Sequence, residues 1–229
     1  MRILHIIPYF SPKMGGSPQV VFQAANQLSQ RGHQVTVIAS DFGNSDASFP
    51  GGSFQVKLFS NLFARWGFYF SPGMYTWLRQ HITEYDVLHL HEVRTFQNIA
   101  ARALAVRQHI PYAVSAHGTL PIIIERHTAK RVFDSLFGKR ILDDASKLVA
   151  VSPVEVEQYQ QAGIAQERIM MIYNGLNLAE FQDLPASGSF RRQHPEIEKS
   201  ALIILSLSRL HKIKGIPHLI EAFATLVQE

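Results

Sequence analysis

The 229-residue chain predicts an α/β fold, a parallel sheet with helices on both faces. Two observations predict it. Short apolar runs of strand length alternate with segments of helical period along most of the chain, and such alternation calls for right-handed crossovers between parallel strands. The composition, 46% hydrophobic and 17% charged, is that of a globular protein rather than a disordered or fibrous one.

The elements follow in order. Arg2–Ile7 is a buried-type strand. Residues 8–17 form a loop with Pro8, Pro12, Gly15 and Gly16. Ser17 is placed as N-cap and Pro18 as N1 of a helix carrying Val20, Val21, Ala24, Ala25 and Leu28, which Gly32 stops. Gln34–Ala39 is the second strand. The pattern then repeats: strand Phe54–Phe59, helix Pro72–Thr83, strand Asp86–Leu90, helix Thr95–Gln108, strand Tyr112–Ser115, a long helical region from Pro121 to Leu142, strand Lys147–Val151, helix Pro153–Ala162 and strand Arg168–Ile172. Residues 183–200 break the rhythm and read as a linker. Ala201–Leu207 is again a strand-like run, Arg209–Gly215 a loop, and Ile216–Val227 an amphipathic helix. The expected division is therefore a first domain over 1–182, the linker 183–200, and one strand–helix unit over 201–229. That unit lacks a sheet of its own, so it is expected to be poorly ordered or covered by another chain.

Composition excludes several functions. With no Cys, there is no disulfide scaffold, Cys-ligated zinc or thiol nucleophile. The net charge of +4 is mild and spread out, which suits a small anion or an acidic membrane surface better than a nucleic-acid groove. No apolar run approaches the roughly 18–20 residues that span a bilayer. The first strand opens at the N-terminus with no separate signal-peptide region. The expected location is the cytoplasm, with peripheral contact at the inner membrane face as an option.

Ligands of open parallel sheets bind at the carboxyl ends of the strands, so the loops there carry the candidates. Gly15-Gly16-Ser17-Pro18 places flexible backbone before a helix N-terminus, where free N–H groups and the dipole favour a phosphate. A plain strand-to-helix turn uses glycine in the same way. No dinucleotide fingerprint, P-loop or nucleophile elbow is present. His117, directly after a strand, can bond a sugar hydroxyl or a developing charge; a helix-capping role fits its position equally. Arg209 and Lys214 flank a loop between a strand and a helix. They suit a diphosphate, and they also read as ordinary solvated charges. His89 and His91 share one strand face, with Glu92 following. A packed pair is expected there and no metal, because the sequence places no third ligand. His5 is read as core. The aromatic run of residues 62–78 is expected to fold onto the core, with a lipid or sugar contact as the alternative.

Several of these segments, in this order, resemble the N-terminal half of a GT-B glycosyltransferase of family 4 (group 1). They are Pro8-Tyr9 through Gly15-Gly16; Tyr85 to His91; Ile110-Pro111-Tyr112 through His117-Gly118; Val151-Ser152 with Glu155; Ile172 to Asn177 with Phe181; and Ser208 to Gly215 followed by Leu219 to Phe223. The resemblance implies two Rossmann-like domains facing each other across a cleft, the first mainly binding the acceptor and the second a nucleotide-sugar donor. It implies that Gly15 and Gly16 approach a phosphate or the acceptor and that His117 contacts the donor sugar. Arg209 and Lys214 would hold the diphosphate, in a retaining reaction that needs no divalent metal or other cofactor. The implied partners are a nucleotide-sugar and a glycan or lipid-linked acceptor, and no nucleic acid. Two departures stand out. Ser208 replaces the usual glycine before the arginine. The family's E-x7-E motif would lie beyond residue 229, so the expectation is a truncated chain with little turnover, completed by a second domain or chain. A non-catalytic acceptor-binding module and an unrelated nucleotide-binding protein are the alternatives.

Overall fold

The structure is a computed structural model in which residues 1–43, 51–65, 68–122, 127–208 and 210–228 are described. It divides into two compact units, Met1–Leu176 and Asn177–Glu229.

The first unit is a seven-stranded parallel sheet. Its strands are β1 (Arg2–Tyr9), β2 (Gln34–Ser40), β3 (Gln55–Phe59), β6 (Val87–His91), β7 (Tyr112–Ser115), β8 (Lys147–Ala150) and β9 (Ile169–Met171). Their order is β3-β2-β1-β6-β7-β8-β9. Every pair in it is parallel, as the alternating pattern predicts. The strand order reverses between β1 and β6, which makes the carboxyl edge there the crevice of the sheet.

Period-two alternation in the central strands sorts side chains between two cores. Ile3 and Ile7 of β1, with Val35, Val37 and Ala39 of β2, pack on Val21 and Ala25 of α1 (Gly16–Gln30). Leu4 and Ile6 of β1, with Leu88 and Leu90 of β6, point to the opposite face. There they meet α2 (Pro72–His81) through Met74 and Leu78 and α3 (Phe96–Arg107) through Ala101 and Leu104. The same core takes in Ile141 of the helical stretch below and Tyr159 of α6 (Pro153–Gln161). The predicted long helical region is α4 (His127–Phe133), a π segment over Asp134–Gly138 and α5 (Lys139–Asp143). At its predicted start Pro121 and Ile122 are not helical, and residues 123–126 lie outside the described residues.

Two local readings need correction. Ser17 is not the N-cap of α1; Gly15 is, with φ 107° and ψ −159°, a backbone state open to glycine alone, and Ser17 lies inside the first turn. The aromatic run forms an antiparallel hairpin, β4 (Phe63–Arg65) with β5 (Phe68–Phe70), that the sequence reading lacked. Phe68 and Phe70 meet Phe96 edge-on at 5.8 and 4.8 Å, and Trp77 lies 5.9 Å from Phe59. Part of the segment thus folds onto the core, Phe63 and Tyr75 are exposed, and Trp66 lies outside the described residues.

In the second unit, Ser189–Gln193 forms a short α7 and Ile216–Gln228 forms α8. The apolar run at 201–207 is not a strand. Among the described residues no strand pairs with it, and Leu202, Leu205 and Leu207 are 82–93% exposed. A strand gains its hydrogen bonds only from a neighbour, so an apolar run without one stays irregular. The apolar side chains Ile220, Phe223 and Val227 of α8 are exposed as well.

Candidate active site

The crevice at the ends of β1, β6 and β7 collects the functional candidates of the first unit. After β1, Ser11 Oγ accepts the Lys13 N–H at 3.4 Å and caps a short 3-10 turn, which Gly15 ends. The N-terminus of α1 carries no side-chain cap and no acidic residue in its first turn. A Cβ built on Gly16 would meet nothing within 4 Å, so open space lies before it. A carboxylate from elsewhere in the sequence already occupies this corner. Glu92 Oε1 accepts from the Tyr9 hydroxyl at 2.9 Å and from Ser17 Oγ at 3.2 Å. Burial pushes the Glu92 pKa up, against the two hydroxyl bonds that lower it. This acid favours a hydroxyl or a cation beside α1 over a second full anion. Glu92 also stands in the left-handed region at φ 65°, uncommon for a residue with a Cβ.

Behind this corner runs a stripe of histidines. The alternation Leu88-His89-Leu90-His91 sends both histidines to the face away from the leucines. Parallel register sets His5 beside His89 and His91 beside Ser115. His5 Nδ1 lies 2.9 Å from His91 Nε2, and His91 Nδ1 lies 2.9 Å from His117 Nε2. His89 Nε2 pairs with Ser115 Oγ at 2.8 Å. The rings of His5 and His91, and of His91 and His117, lie within 16° of parallel with their centroids 5.2 Å apart. Burial lowers the pKa of His5 and of His117 to about 4, and that of His89 and His91 well below the usual value. All four rings are therefore neutral at pH 7.

His5, held to be plain core, is thus a third imidazole next to the two that the sequence paired. Ligand nitrogens of His5, His89 and His91 lie within 4.8 Å of one another. Both ring nitrogens of His91 are already bonded, to His5 and to His117, so a metal drawn to the three would have to break one of those bonds.

His117 ends the stripe, half-buried at the crevice, with φ 50°. Gly118 follows at φ 75°. Two left-handed residues in a row persist only when their surroundings hold them. Glu155 of α6 does so: Oε1 accepts the Gly118 N–H and Oε2 the Val151 N–H at 2.8 Å. Glu155 is placed by Ser152, the N-cap of α6, whose Oγ accepts the Glu155 N–H at 3.3 Å. The buried Tyr159 hydroxyl accepts the Ala116 N–H at 3.0 Å. Arg94 forks onto Asp134, at 2.9 and 2.6 Å, and donates to the carbonyls of Thr119 and Leu120. That fork occupies the cation on the wall of a cavity of about 430 Å³ lined also by Val93, Leu120 and Leu142.

Of the predicted site residues, the first unit brings Gly15, Gly16 and His117 to one edge of the sheet. Lys214 stands in the second unit, exposed, just before Gly215 and α8. Arg209 lies outside the described residues. Sequence reasoning assigned no role to Tyr9, Glu92, Glu155 or Tyr159. Only Glu155 had a local signal, its place three residues after a Ser N-cap.

Comparison with known proteins gives a consistent result. The sequence pattern of Glycosyltransferase Family 4 matches residues 14–180. A phosphatidyl-myo-inositol mannosyltransferase of Mycolicibacterium smegmatis is 26% identical over 201 residues, covering 84% of this chain and 48% of that protein. Sucrose-phosphate synthase from Thermosynechococcus elongatus superposes with a TM-score of 0.69 at 18% identity, covering 98% of this chain and 59% of that one. Anabaena HepE, solved with UDP-glucose, gives 0.62 at 20% identity, covering 85% and 50%. The chain spans about half the length of these relatives.

Proposed function

We propose, on the premise that this chain belongs to glycosyltransferase family 4, that it forms the acceptor-side half of an enzyme moving a sugar from a nucleotide-sugar to a glycan or lipid-linked acceptor. Membership sets aside the unrelated nucleotide-binding protein. The observation that carries the proposal is the placement of His117, a neutral imidazole held at the carboxyl edge of the sheet by His91 on one side and by the Glu155-bound Gly118 on the other. HepE, a structural neighbour, was solved with UDP-glucose, and one sequence relative is a phosphatidyl-myo-inositol mannosyltransferase.

In this reading the first unit offers an acceptor pocket beside Gly15 and Gly16, with Tyr9, Ser17 and Glu92 as its polar wall. His117 bonds a hydroxyl of the transferred sugar. Arg209 and Lys214 neutralise the departing diphosphate. Charge develops on an oxocarbenium-like sugar and on the leaving group, so placed donors and cations matter more than a strong nucleophile. No metal or cofactor is assigned a role. No helix among the described residues is long and apolar enough to cross a membrane. A peripheral place at the cytoplasmic membrane face is the proposed setting for a lipid-linked acceptor.

The test is sugar transfer by this chain joined to a donor-binding domain. His117→Ala, Arg209→Ala and Lys214→Ala should each lower the rate at least about tenfold, one charge-assisted or site hydrogen bond being worth roughly 1.5–3 kcal/mol. Near-normal rates in all three would defeat the assignment. A joined protein that binds the acceptor yet transfers nothing would favour the non-catalytic module.

A further inference from the structure

Two imidazole–imidazole bonds in series constrain each other. A neutral imidazole carries one N–H and one bare nitrogen, so each bond needs a donor on one side and a bare nitrogen on the other. The chain His5–His91–His117 therefore has only two states, in which all three protons point the same way. In one, His5 Nδ1–H donates to His91 Nε2 and His91 Nδ1–H donates to His117 Nε2, which leaves the His117 hydrogen on Nδ1. In the other, every bond is reversed, and His117 presents a bare Nδ1.

The inner end of the chain decides between them. His5 is fully buried, and its Nε2 has no hydrogen-bond partner among the described residues. In the reversed state that nitrogen would carry an unpaired, buried N–H. In the first state it carries only a bare lone pair. Orphaned buried N–H groups are the rarer defect in native proteins. At the outer end, His117 Nδ1 takes no bond from the described residues, and the ring is half-buried at the crevice.

We infer that His5 and His91 are positioning residues which, through the two imidazole bonds, hold His117 in its Nδ1–H tautomer, so that the ring offers a hydrogen-bond donor to a substrate oxygen. Neutrality of all three rings at pH 7, a consequence of their burial, keeps the relay in this form. That the oxygen is a hydroxyl of the transferred sugar rests on the function proposed above; the tautomer does not.

The direct test is long-range proton–nitrogen NMR on the ¹⁵N-labelled 229-residue chain at pH 7. His117 and His91 should each show a protonated Nδ1 and a bare Nε2, and His5 a protonated Nδ1. A protonated Nε2 on His117, or averaged shifts from both tautomers, would overturn the inference. His91→Phe removes the donor to His117 Nε2, and the His117 signals should move toward a protonated Nε2 or averaged positions; unchanged signals would show that the relay does not act. If His91→Phe does not fold, a hydrogen-bond-mediated ¹⁵N–¹⁵N coupling between His91 Nδ1 and His117 Nε2 in the parent chain reads the same link, and its absence would show that the relay does not act. The readout needs no sugar transfer, so a locked His117 tautomer in the chain, together with no transfer by the chain joined to a donor-binding domain, would refute the transferase reading alone.

Discussion

Replacing Glu155 tests whether the His117–Gly118 turn is held from α6. The carboxylate is 4% exposed and accepts two backbone N–H groups, from Gly118 and Val151. Bonds to a charged acceptor contribute about 1.5–3 kcal/mol each, and burial leaves little water to replace them. Glu155→Ala should therefore destabilise the protein by about 3–5 kcal/mol. Glu155→Gln keeps one acceptor oxygen and turns an N–H₂ toward the other donor, so its cost should be about 2–4 kcal/mol. For a protein of this size, 1 kcal/mol corresponds to roughly 2–4 °C in Tm. Urea unfolding followed by far-UV circular dichroism measures the loss, and amide exchange at Gly118 reports where it occurs. Glu157, exposed on the same helix, is the control: Glu157→Gln should stay within about 0.5 kcal/mol of the parent. A Glu155→Ala loss under about 1 kcal/mol, with Gly118 exchange unchanged, would refute the claim that this carboxylate holds the turn.

Other outcomes follow from the same geometry. Stability should fall on acidification, because unfolded histidines take up protons near pH 6.5 while His5 and His117 refuse them until about pH 4. Their contribution is complete above pH 6.5 and shrinks as pH drops toward 4, by up to about 3 kcal/mol per pH unit for the two together. Glu92, with a raised pKa, acts in the opposite sense and softens the loss; constant or rising stability from pH 6.5 to 5 would contradict the account. Tyr159→Phe should cost about 1–2 kcal/mol in urea unfolding, since the Ala116 N–H loses its acceptor. Arg94→Lys should cost about 2–3 kcal/mol by the same measurement, because an ammonium cannot span Asp134 and the two carbonyls at once.

The central strands were legible because their patterning is local. Leu88-His89-Leu90-His91 declares two faces in four residues, and Pro72 and Pro153 announce the starts of α2 and α6. The site was legible only in part, since its geometry depends on partners far apart in sequence. Nothing near Glu92 predicts that Tyr9 and Ser17 will meet it from 83 and 75 residues away. His5 reads as core because it sits in the apolar first strand; its bond to His91 follows from a register that only the folded sheet defines. Ser17-Pro18 imitates an N-cap and N1 pair, yet the φ of 107° at Gly15 moves the cap two residues earlier. The run at 201–207 has the composition of a strand, and composition says nothing about whether a neighbour exists to pair with it.

The most direct trial of the whole account is transfer of a labelled sugar from a nucleotide-sugar by the chain joined to a donor-binding domain, compared with its His117→Ala variant. The account predicts transfer by the parent protein and a loss of at least about tenfold in the variant, with binding of the acceptor retained. Equal rates in the two proteins would contradict it.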